Sequence, residues 1–180
     1  MPPYARERAA VGIARRFAAL PAWRAAQRIG LYLPADGEVD VRPLARLAWS
    51  QDKAVYLPVV GAIGEMDFAR WSERQKLCAN RYGIPEPVTS RRHRLAARRL
   101  DLLVMPLVAF DRHGLRLGMG GGYYDRALAA RPRHPVLAGA AYSVQQVEHI
   151  PPMPWDVPLD LIVTERRVHR PRPPVKGAPA

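Results

Sequence analysis

A glycine-rich segment flanked by arginines is the part of the sequence best suited to hold a phosphorylated ligand. Residues 116–126 read RLGMGGGYYDR, and a helical pattern begins at Tyr123. Glycines allow backbone N–H groups to approach a ligand because no Cβ stands in the way, and a helix N-terminus favours bound phosphate. The guanidinium groups of Arg116 and Arg126 match phosphate oxygens. A purely structural explanation, in which the glycines only make a tight strand-to-helix turn, stays equally open.

One aspartate is a candidate for holding a magnesium ion, and a second lies beside the ligand crevice that the fold would present. Asp125 lies in the first turn of the predicted helix, where its carboxylate is badly placed to touch phosphate but well placed to hold Mg²⁺ that bridges phosphate oxygens. Asp156 precedes the last predicted strand, beside the crevice expected at the end of a parallel sheet. Structural roles remain open for both, since Asp125 can complement a helix dipole and Asp156 can form a turn. Asp160 is interpreted as the residue that begins the strand.

Several other chemistries lack the residues that they need. The sequence has no Gly-x4-Gly-Lys-Ser/Thr, which excludes a P-loop NTPase. The glycine spacing differs from that of a dinucleotide-binding fold, and residues 126–147 contain no acid for a ribose. There is no Gly-x-Ser-x-Gly, and the histidines show no metal-ligand spacing. Cys78 is interpreted as a small core or surface residue.

Short apolar runs alternate with helical patterns and must position these residues. Helices are predicted over residues 4–20, from residue 40 onward and over 123–131. Strands are predicted over residues 29–33, 54–57, 66–68, 102–105, 136–142 and 161–164. Residues 78–87 are predicted to be a loop because they contain Gly83, Pro85 and Pro87. The alternation predicts an α/β fold with a mainly parallel sheet and helices on both faces.

Size and charge favour a single basic domain that binds anions. The chain has 180 residues, of which 48% are apolar, and no apolar run approaches the ~18 residues of a membrane span. The first residues lack a secretory signal, and one cysteine fits a reducing cytoplasm. Lys and Arg number 28 against 16 acids, a net charge of +12 that points to anionic partners. We expect one domain over residues 1–168 and a disordered, basic, proline-rich tail over 169–180.

The central motif is similar to the signature of a known enzyme family. Residues 106–126, PLVAFDRHGLRLGMGGGYYDR, resemble the signature of the 5-formyltetrahydrofolate cyclo-ligase family, also called 5,10-methenyltetrahydrofolate synthetases. The likeness also includes RIGLYL at 28–33, YGIPEP at 82–87 and PWDVPLDLIVTE at 154–165. It covers about residues 20 to 168, in the family's order.

This resemblance implies a fold and a reaction. The fold would be a three-layer α/β sandwich with a mainly parallel central sheet, related to the ribose-5-phosphate isomerase and CoA-transferase group. The reaction would convert ATP and 5-formyltetrahydrofolate into 5,10-methenyltetrahydrofolate, ADP and phosphate, with Mg²⁺ assisting. The formyl oxygen would take the γ-phosphoryl group before N10 attacks. We expect a cytoplasmic monomer with no membrane and no specific nucleic-acid partner.

The resemblance also implies a set of site residues. ATP would be bound by Arg116, Leu117, Gly118, Met119, Gly120, Gly121, Gly122, Tyr123 and Tyr124. The folate would contact Leu33, Glu38, Tyr82, Met119, Gly120, Gly121, Gly122 and Tyr123. Arg116 and Tyr123 would be the catalytic residues, and Asp125 and Asp156 would serve the metal.

One departure from the family concerns the N-terminus. Relatives usually begin with an extra helix whose Lys-x-x-Arg touches ATP, and the segment before Leu20 is too short for that helix and the next. Arg6, Arg8, Arg15 or Arg16 can take its place, or the encoded start lies upstream. A catalytically impaired member therefore stays an alternative. A basic nucleic-acid-binding module that uses residues 91–99 and the tail is another, which a strong salt dependence would reveal.

Overall fold

The computed structural model describes residues 1–35, 37–61, 64–80, 83–129 and 135–171. Its α-helices are α1 Pro3–Ala18, α2 Pro21–Ala25, α3 Arg42–Ser50 and α4 Tyr123–Leu128. Its strands are β1 Arg28–Gly30, β2 Ala54–Val60, β3 Met66–Trp71, β4 Leu77–Ala79, β5 Pro85–Pro87, β6 Arg94–Leu95, β7 Leu102–Met105, β8 Ala109–Phe110, β9 Arg116–Leu117, β10 Val136–Ala140, β11 Leu161–Val163 and β12 Val168–His169. Short 3-10 helices cover Arg91–His93, Ala97–Arg99 and Ser143–Gln145.

Eight of these strands form one sheet in the order β12-β11-β10-β7-β1-β2-β3-β6. The five strands from β11 to β2 run parallel to one another. β12 at one edge, and β3 followed by β6 at the other, are added antiparallel. β4 pairs with β5 and β8 pairs with β9 in separate two-stranded ladders. The predicted α/β fold with a mainly parallel sheet is therefore confirmed.

Helical segments cover both faces of the sheet because its central strands are apolar on both sides. β7 is buried throughout, and its side chains alternate between two clusters. Leu102 and Val104 pack with Phe17 of α1 in one cluster. Leu103 and Met105 pack in the other cluster, which also contains Leu128 of α4. A strand without polar side chains is thus stabilised from both faces, as the sequence predicted for a covered parallel strand.

The chain changes direction across the sheet between β1 and β7. β1 lies between β2, which follows it in the chain, and β7, which is reached only after the chain has crossed to the other side. The segments that leave β1 and β7 therefore diverge at the carboxyl edge of the sheet, which is the position where open α/β sheets bind ligands. We call this position the crevice. We call residues 31–41, after β1, the β1 loop and residues 118–122, which follow β9, the glycine loop.

Several boundaries differ from those predicted, and prolines account for the clearest cases. β2 continues through Pro58 instead of ending there, and Pro58 faces Phe68 of β3. The missing N–H removes no bond between strands, because the pairing of β1 with β2 ends at Tyr56. Pro21 begins α2 as well as ending the first helical pattern, a position that suits its fixed φ.

The predicted loop over residues 78–87 contains a hairpin, which is a correction. Leu77, Cys78 and Ala79 of β4 face Pro87, Glu86 and Pro85 of β5. The Asn80 N–H donates to the carbonyl of Ile84, which closes the turn. Hydrogen-bonded pairs alternate along such a ladder, so both prolines occupy positions whose nitrogen points away from the partner strand. Proline therefore does not forbid pairing here.

The C-terminal contacts reach residue 171. The ring of His169 in β12 lies edge-on to Phe110 with ring centroids 5.1 Å apart. The rest of the predicted disordered tail, residues 172–180, lies outside the described residues, and the domain boundary at 168 stays a prediction. Within the described ranges, no helix has the length and apolar character needed to cross a membrane.

Candidate active site

The glycine loop presents unpaired backbone to solvent at the crevice. Gly120 and Gly122 have φ of +81° and +60°, a left-handed backbone that other residues adopt only with strain. A Cβ at Gly118 or Gly120 would meet no atom within 4 Å. Within the described residues, the N–H groups of residues 118–121 donate no hydrogen bond to the protein. The loop therefore offers several free donors with open space in front of them.

A buried ion pair fixes the two ends of this loop. Arg116 Nη2 donates to Asp125 Oδ1 at 2.8 Å, and the Arg116 side chain is only 7% exposed. Arg116 Nη1 donates to the carbonyl of Val157 at 2.6 Å, and the Val157 N–H donates back to Asp125 Oδ1 at 3.3 Å. The structure therefore brings Arg116, Asp125 and the residue after Asp156 together. Both terminal nitrogens of Arg116 are already bonded to protein atoms, so its contact with ATP stays a prediction.

Arg126 and Tyr123 brace the loop from its other side. Arg126 Nη2 donates to the carbonyl of Gly121 at 2.6 Å, and its guanidinium carbon lies 5.2 Å from the centre of the Tyr123 ring. Arg126 Nε donates to the carbonyl of Gly64 at 3.4 Å, which links the loop to the turn between β2 and β3. Tyr123 is half-buried and packs against the cluster of α4. Arg126 was predicted to hold phosphate but is used here to hold protein carbonyls.

The β1 loop is fastened by hydrogen bonds around Glu38. Glu38 Oε2 accepts from the Ala35 N–H at 3.0 Å. The buried hydroxyl of Tyr32 donates to the Val39 carbonyl at 2.9 Å, and the Tyr142 hydroxyl lies 3.5 Å from the Glu38 carbonyl. Leu33, on the same loop, is half-buried against the core. Two predicted folate contacts, Leu33 and Glu38, thus lie on one loop at the carboxyl end of β1.

Tyr124 connects the two sides of the crevice electrostatically. Burial raises the pKa of the Tyr124 hydroxyl, the nearby charge of Glu38 raises it further, and Arg116 partly offsets both effects. Glu38 of the β1 loop and Arg116 are therefore both close enough to the Tyr124 hydroxyl to shift its pKa. Because its pKa is raised, Tyr124 is protonated at neutral pH. It can donate a hydrogen bond but cannot act as a base.

The two predicted metal ligands have different surroundings. Asp125 is 22% exposed, and its Oδ1 holds Arg116 and Val157. Asp156 Oδ2 accepts from the Met153 N–H at 2.9 Å, a turn-forming bond. Among the described residues, no three His, Cys, Asp or Glu side chains group as a metal shell. Mg²⁺ commonly binds through one or two carboxylates, waters and substrate phosphates, so Asp125 fits such an ion and Asp156 fits it less closely.

The remaining residues singled out from the sequence are exposed, structural or outside the described residues. Met119 is 74% exposed and Leu117 49% exposed, so both extend from the loop region into solvent. Tyr82 lies outside the described residues. Asp160 is structural, since its Oδ2 accepts from the Leu137 N–H at 2.8 Å. Cys78 is exposed on β4.

The sequence predicts a turn from Asp111 to Gly114, which the structure contains, but it did not reveal that the Asp111 carboxylate organises the approach to the glycine loop. This carboxylate is fully buried and accepts from the N–H groups of His113, Leu115 and Ile150 at 2.8, 3.0 and 3.2 Å. These bonds shape the turn between β8 and β9, and β9 begins at Arg116. An acid directly after the apolar run at 107–110 was the available signal. Tyr142 was also missed, although it lies close to the carboxyl end of β10, where ligand-facing residues are expected.

Comparisons with known proteins agree on one family. Residues 1–165 match the family model described as the 5-formyltetrahydrofolate cyclo-ligase family. The chain is 41% identical to 5-formyltetrahydrofolate cyclo-ligase of Escherichia coli over 146 residues, covering 79% of this chain and 80% of that one. It is 42% identical to the protein of the same name from Haemophilus influenzae over 144 residues, covering 78% and 77%.

Solved structures show the same likeness. The solution structure of the Aquifex aeolicus 5,10-methenyltetrahydrofolate synthetase superposes with a TM-score of 0.83 at 34% identity, covering 99% of this chain and 89% of that one. The synthetase from Mycoplasma pneumoniae gives a TM-score of 0.71 at 26% identity, covering 92% and 90%.

Proposed function

The chain belongs to the 5-formyltetrahydrofolate cyclo-ligase family, and we propose that the crevice between its β1 loop and glycine loop is where 5-formyltetrahydrofolate is cyclised with ATP. The products are 5,10-methenyltetrahydrofolate, ADP and phosphate. The observation that carries this placement is the glycine loop, whose N–H groups at residues 118–121 donate to no described residue and face open space at Gly118 and Gly120. Glu38 of the β1 loop and Arg116 both act on the pKa of Tyr124, which lies in the first turn of α4 directly after that loop. One ligand can therefore contact the β1 loop while the other lies on the glycine loop.

The proposed chemistry needs no protein nucleophile. The formyl oxygen attacks the γ-phosphorus of ATP, and ADP leaves. N10 then attacks the activated formyl carbon and loses its proton, and phosphate leaves as the ring closes. Such a transfer depends on positioning and on stabilising charge, which agrees with the scarcity of candidate serine, cysteine or histidine nucleophiles in the sequence.

The glycine loop would hold the phosphates of ATP. Its unpaired N–H groups at residues 118–121 supply donors to phosphate oxygens, and the positive φ at Gly120 keeps the backbone open toward the ligand. Arg116 would act mainly through Asp125, since its buried guanidinium neutralises that carboxylate and fixes its direction. Tyr123 and Tyr124 would form the wall between the phosphates and the folate.

Asp125 would hold the magnesium ion at this end of the crevice. The bound ion would neutralise charge that develops on the phosphate oxygens. Arg116 and Val157 both bond to Oδ1 of Asp125, which leaves Oδ2 for the ion. Asp156 is tied to a turn through Met153, so we assign it a weaker contact through water.

The folate would lie against the β1 loop. Glu38 offers a carboxylate that suits the N–H groups of a pterin ring. The backbone around it is held by the Tyr142 hydroxyl, which donates to the Glu38 carbonyl, and by the Tyr32 hydroxyl, which donates to the Val39 carbonyl. Exposed Met119 and half-buried Leu33 supply apolar surface for the ring system. Tyr82 stays a predicted contact. A monomeric state and a cytoplasmic location likewise stay predictions, the first of which gel filtration tests.

Separate binding measurements test the two halves of this proposal. We expect Glu38→Gln to weaken 5-formyltetrahydrofolate at least tenfold and to leave the Kd of MgATP unchanged. Gly120→Ala strains the backbone at φ +81° and should weaken MgATP, while Gly83→Ala, with φ of +75° and equally open surroundings, is the matched control. If Glu38→Gln weakens both ligands equally, or Gly83→Ala weakens MgATP as much as Gly120→Ala does, the assignment is wrong.

A further inference from the structure

An exposed tryptophan lies close to the proposed phosphate site. Trp155 is 64% exposed, although tryptophan is on average a highly buried residue. The other three tryptophans of the chain are packed. Trp23 is buried, and the rings of Trp49 and Trp71 meet edge to face with their centroids 4.8 Å apart. The Trp155 ring makes no such contact with another ring in the described part of the chain.

A closed turn holds Trp155 in its exposed position. The Asp156 N–H donates to the Met153 carbonyl at 3.0 Å, and the Met153 N–H donates to Asp156 Oδ2 at 2.9 Å. Pro154 and Trp155 are the two central residues of this turn, and the proline ring fixes the backbone of the first. A ring on so constrained a turn loses little conformational freedom when a ligand covers it.

The same segment is bonded to the buried ion pair at the end of the glycine loop. The Val157 carbonyl accepts from Arg116 Nη1 at 2.6 Å, and the Val157 N–H donates to Asp125 Oδ1 at 3.3 Å. Two chain steps place the Cα of Trp155 within about 8 Å of the Cα of Val157. A base that is joined through a ribose to phosphates at Asp125 is therefore within reach of the Trp155 ring.

The position of Trp155 in the fold distinguishes between the two ligands of the reaction. Trp155 belongs to the connection from β10 to β11, whereas the proposed folate contacts Leu33 and Glu38 belong to the β1 loop. In the sheet, β10 and β11 lie on one side of β7 and β1 lies on the other. Trp155 and the β1 loop therefore suit different ligands, and the ligand proposed for the glycine loop beside Trp155 is ATP.

We propose that the indole of Trp155 stacks on the adenine base of ATP. The inference rests on the proposed function, which places the phosphates of ATP on the glycine loop. A flat indole face open to solvent suits a heterocyclic base, because stacking requires only that two aromatic faces meet. Trp155 is thus a binding residue for the base, whereas the loop and Asp125 serve the phosphates.

Binding of two ligands that differ only in the nucleoside tests this proposal. MgATP carries the base, and inorganic triphosphate with Mg²⁺ does not. We expect Trp155→Leu to raise the Kd of MgATP about fivefold to hundredfold, the range for losing one base–aromatic stack, and to leave the Kd of triphosphate unchanged. Trp155→Phe keeps a flat ring and should cause a smaller rise. Val88→Ala, at a residue that is 68% exposed and outside all proposed contacts, is the control and should change neither Kd.

The emission of Trp155 gives a second readout that needs no turnover. Because the base covers the indole, MgATP should change the tryptophan fluorescence of the wild-type chain much more than triphosphate does. Trp155→Phe still binds MgATP, but the change in fluorescence should be absent, since the remaining tryptophans are packed within the protein.

The proposal is overturned if Trp155→Leu raises both Kd values by the same factor, which would make the turn only a support for Asp125, or if it changes neither. It is also overturned if Trp155→Leu weakens 5-formyltetrahydrofolate instead of MgATP. Failure of the proposed function gives a different result, in which the wild-type chain forms no methenyl product although its affinity for MgATP depends on Trp155. A wild-type chain that binds no MgATP would overturn both.

Discussion

The Arg116–Asp125 pair is the residue-level feature on which the proposed site depends. Its 2.8 Å contact joins β9 to the first turn of α4, so it sets the distance that the glycine loop must span. Breaking a buried pair leaves an uncompensated charge, which costs more than the intact pair contributes. The sequence showed both residues but not their pairing, because the carbonyl of Val157 that completes it comes from a distant segment.

We predict that Asp125→Asn lowers kcat/KM by about 10²–10³-fold. A metal that neutralises phosphate charge contributes several kcal/mol, and 1.36 kcal/mol corresponds to a tenfold change in rate. The variant should also need more Mg²⁺ for half-maximal rate. Initial rates across a Mg²⁺ titration, well below the Tm of the variant, give this result.

Two further variants are the controls for the Asp125→Asn measurement. Asp156→Asn should have a smaller effect because Asp156 is tied to Met153. Asp160→Asn should lower the Tm without changing the Mg²⁺ dependence, since its carboxylate accepts from Leu137. Near-normal rates at low Mg²⁺ for Asp125→Asn would remove Asp125 from the metal site.

At the scale of elements, Asp101 joins the starts of β1 and β7 at the edge of the sheet opposite the crevice. Its Oδ2 accepts from the N–H groups of Gln27 and Arg28 at 3.0 and 2.7 Å, and its Oδ1 pairs with Arg28 Nη2 at 2.8 Å. Burial raises the pKa of this carboxyl, but the bonds from Arg28 and Gln27 outweigh burial and leave the pKa below its usual value.

We predict that Asp101→Asn lowers the free energy of unfolding by about 1–3 kcal/mol at neutral pH. Because the pKa of Asp101 is lower in the folded than in the unfolded chain, its stabilising effect is present above the unfolded pKa. It is lost as pH falls through the folded pKa. Urea unfolding of both proteins from pH 7 down to pH 3 should show the difference shrink with acid. A difference that stays constant across this range would refute the explanation.

Elements and boundaries were predictable to different degrees. The strand at 102–105 could be predicted because its residues are all apolar. The helix that follows the glycine loop could be predicted because the glycines mark where it begins. The β4–β5 hairpin could not be predicted. Proline is compatible with a strand only where its nitrogen faces away from the partner strand, and the register of the two strands decides which way the nitrogen faces. The continuation of β2 through Pro58 likewise depends on where β1 stops pairing.

At the scale of the whole molecule, the fold brings the start of α1 to the crevice. Arg6 approaches the β1 loop, since a Cβ at Gly37 would lie 3.4 Å from its guanidinium. Its charge also lowers the pKa of Tyr142, against the larger raising effect of burial. The Arg6 guanidinium makes no hydrogen bond or ion pair within the described residues, whereas the Arg16 guanidinium donates to the carbonyls of Gly12 and Arg166. Of the four arginines suggested by the sequence, Arg6 is therefore the one that we expect to contact an anionic ligand.

We predict that Arg6→Gln raises the Kd of MgATP severalfold and changes no other property of the chain. A guanidinium without a protein partner at the edge of the crevice attracts anions both as they approach and once they are bound. Arg8→Gln is the matched control, because Arg8 is exposed on the same helix. Titration calorimetry at fixed ionic strength gives both values. Equal Kd values for the two variants would assign α1 a structural role only.

One absorbance measurement decides whether the crevice performs this reaction. The purified chain is mixed with MgATP and 5-formyltetrahydrofolate, the methenyl band is followed, and ADP is counted in the same sample. We predict one 5,10-methenyltetrahydrofolate formed for each ADP, no product without ATP, and a loss of rate in Asp125→Asn. ADP release without the methenyl band, or a methenyl band that forms equally well without ATP, would contradict this account.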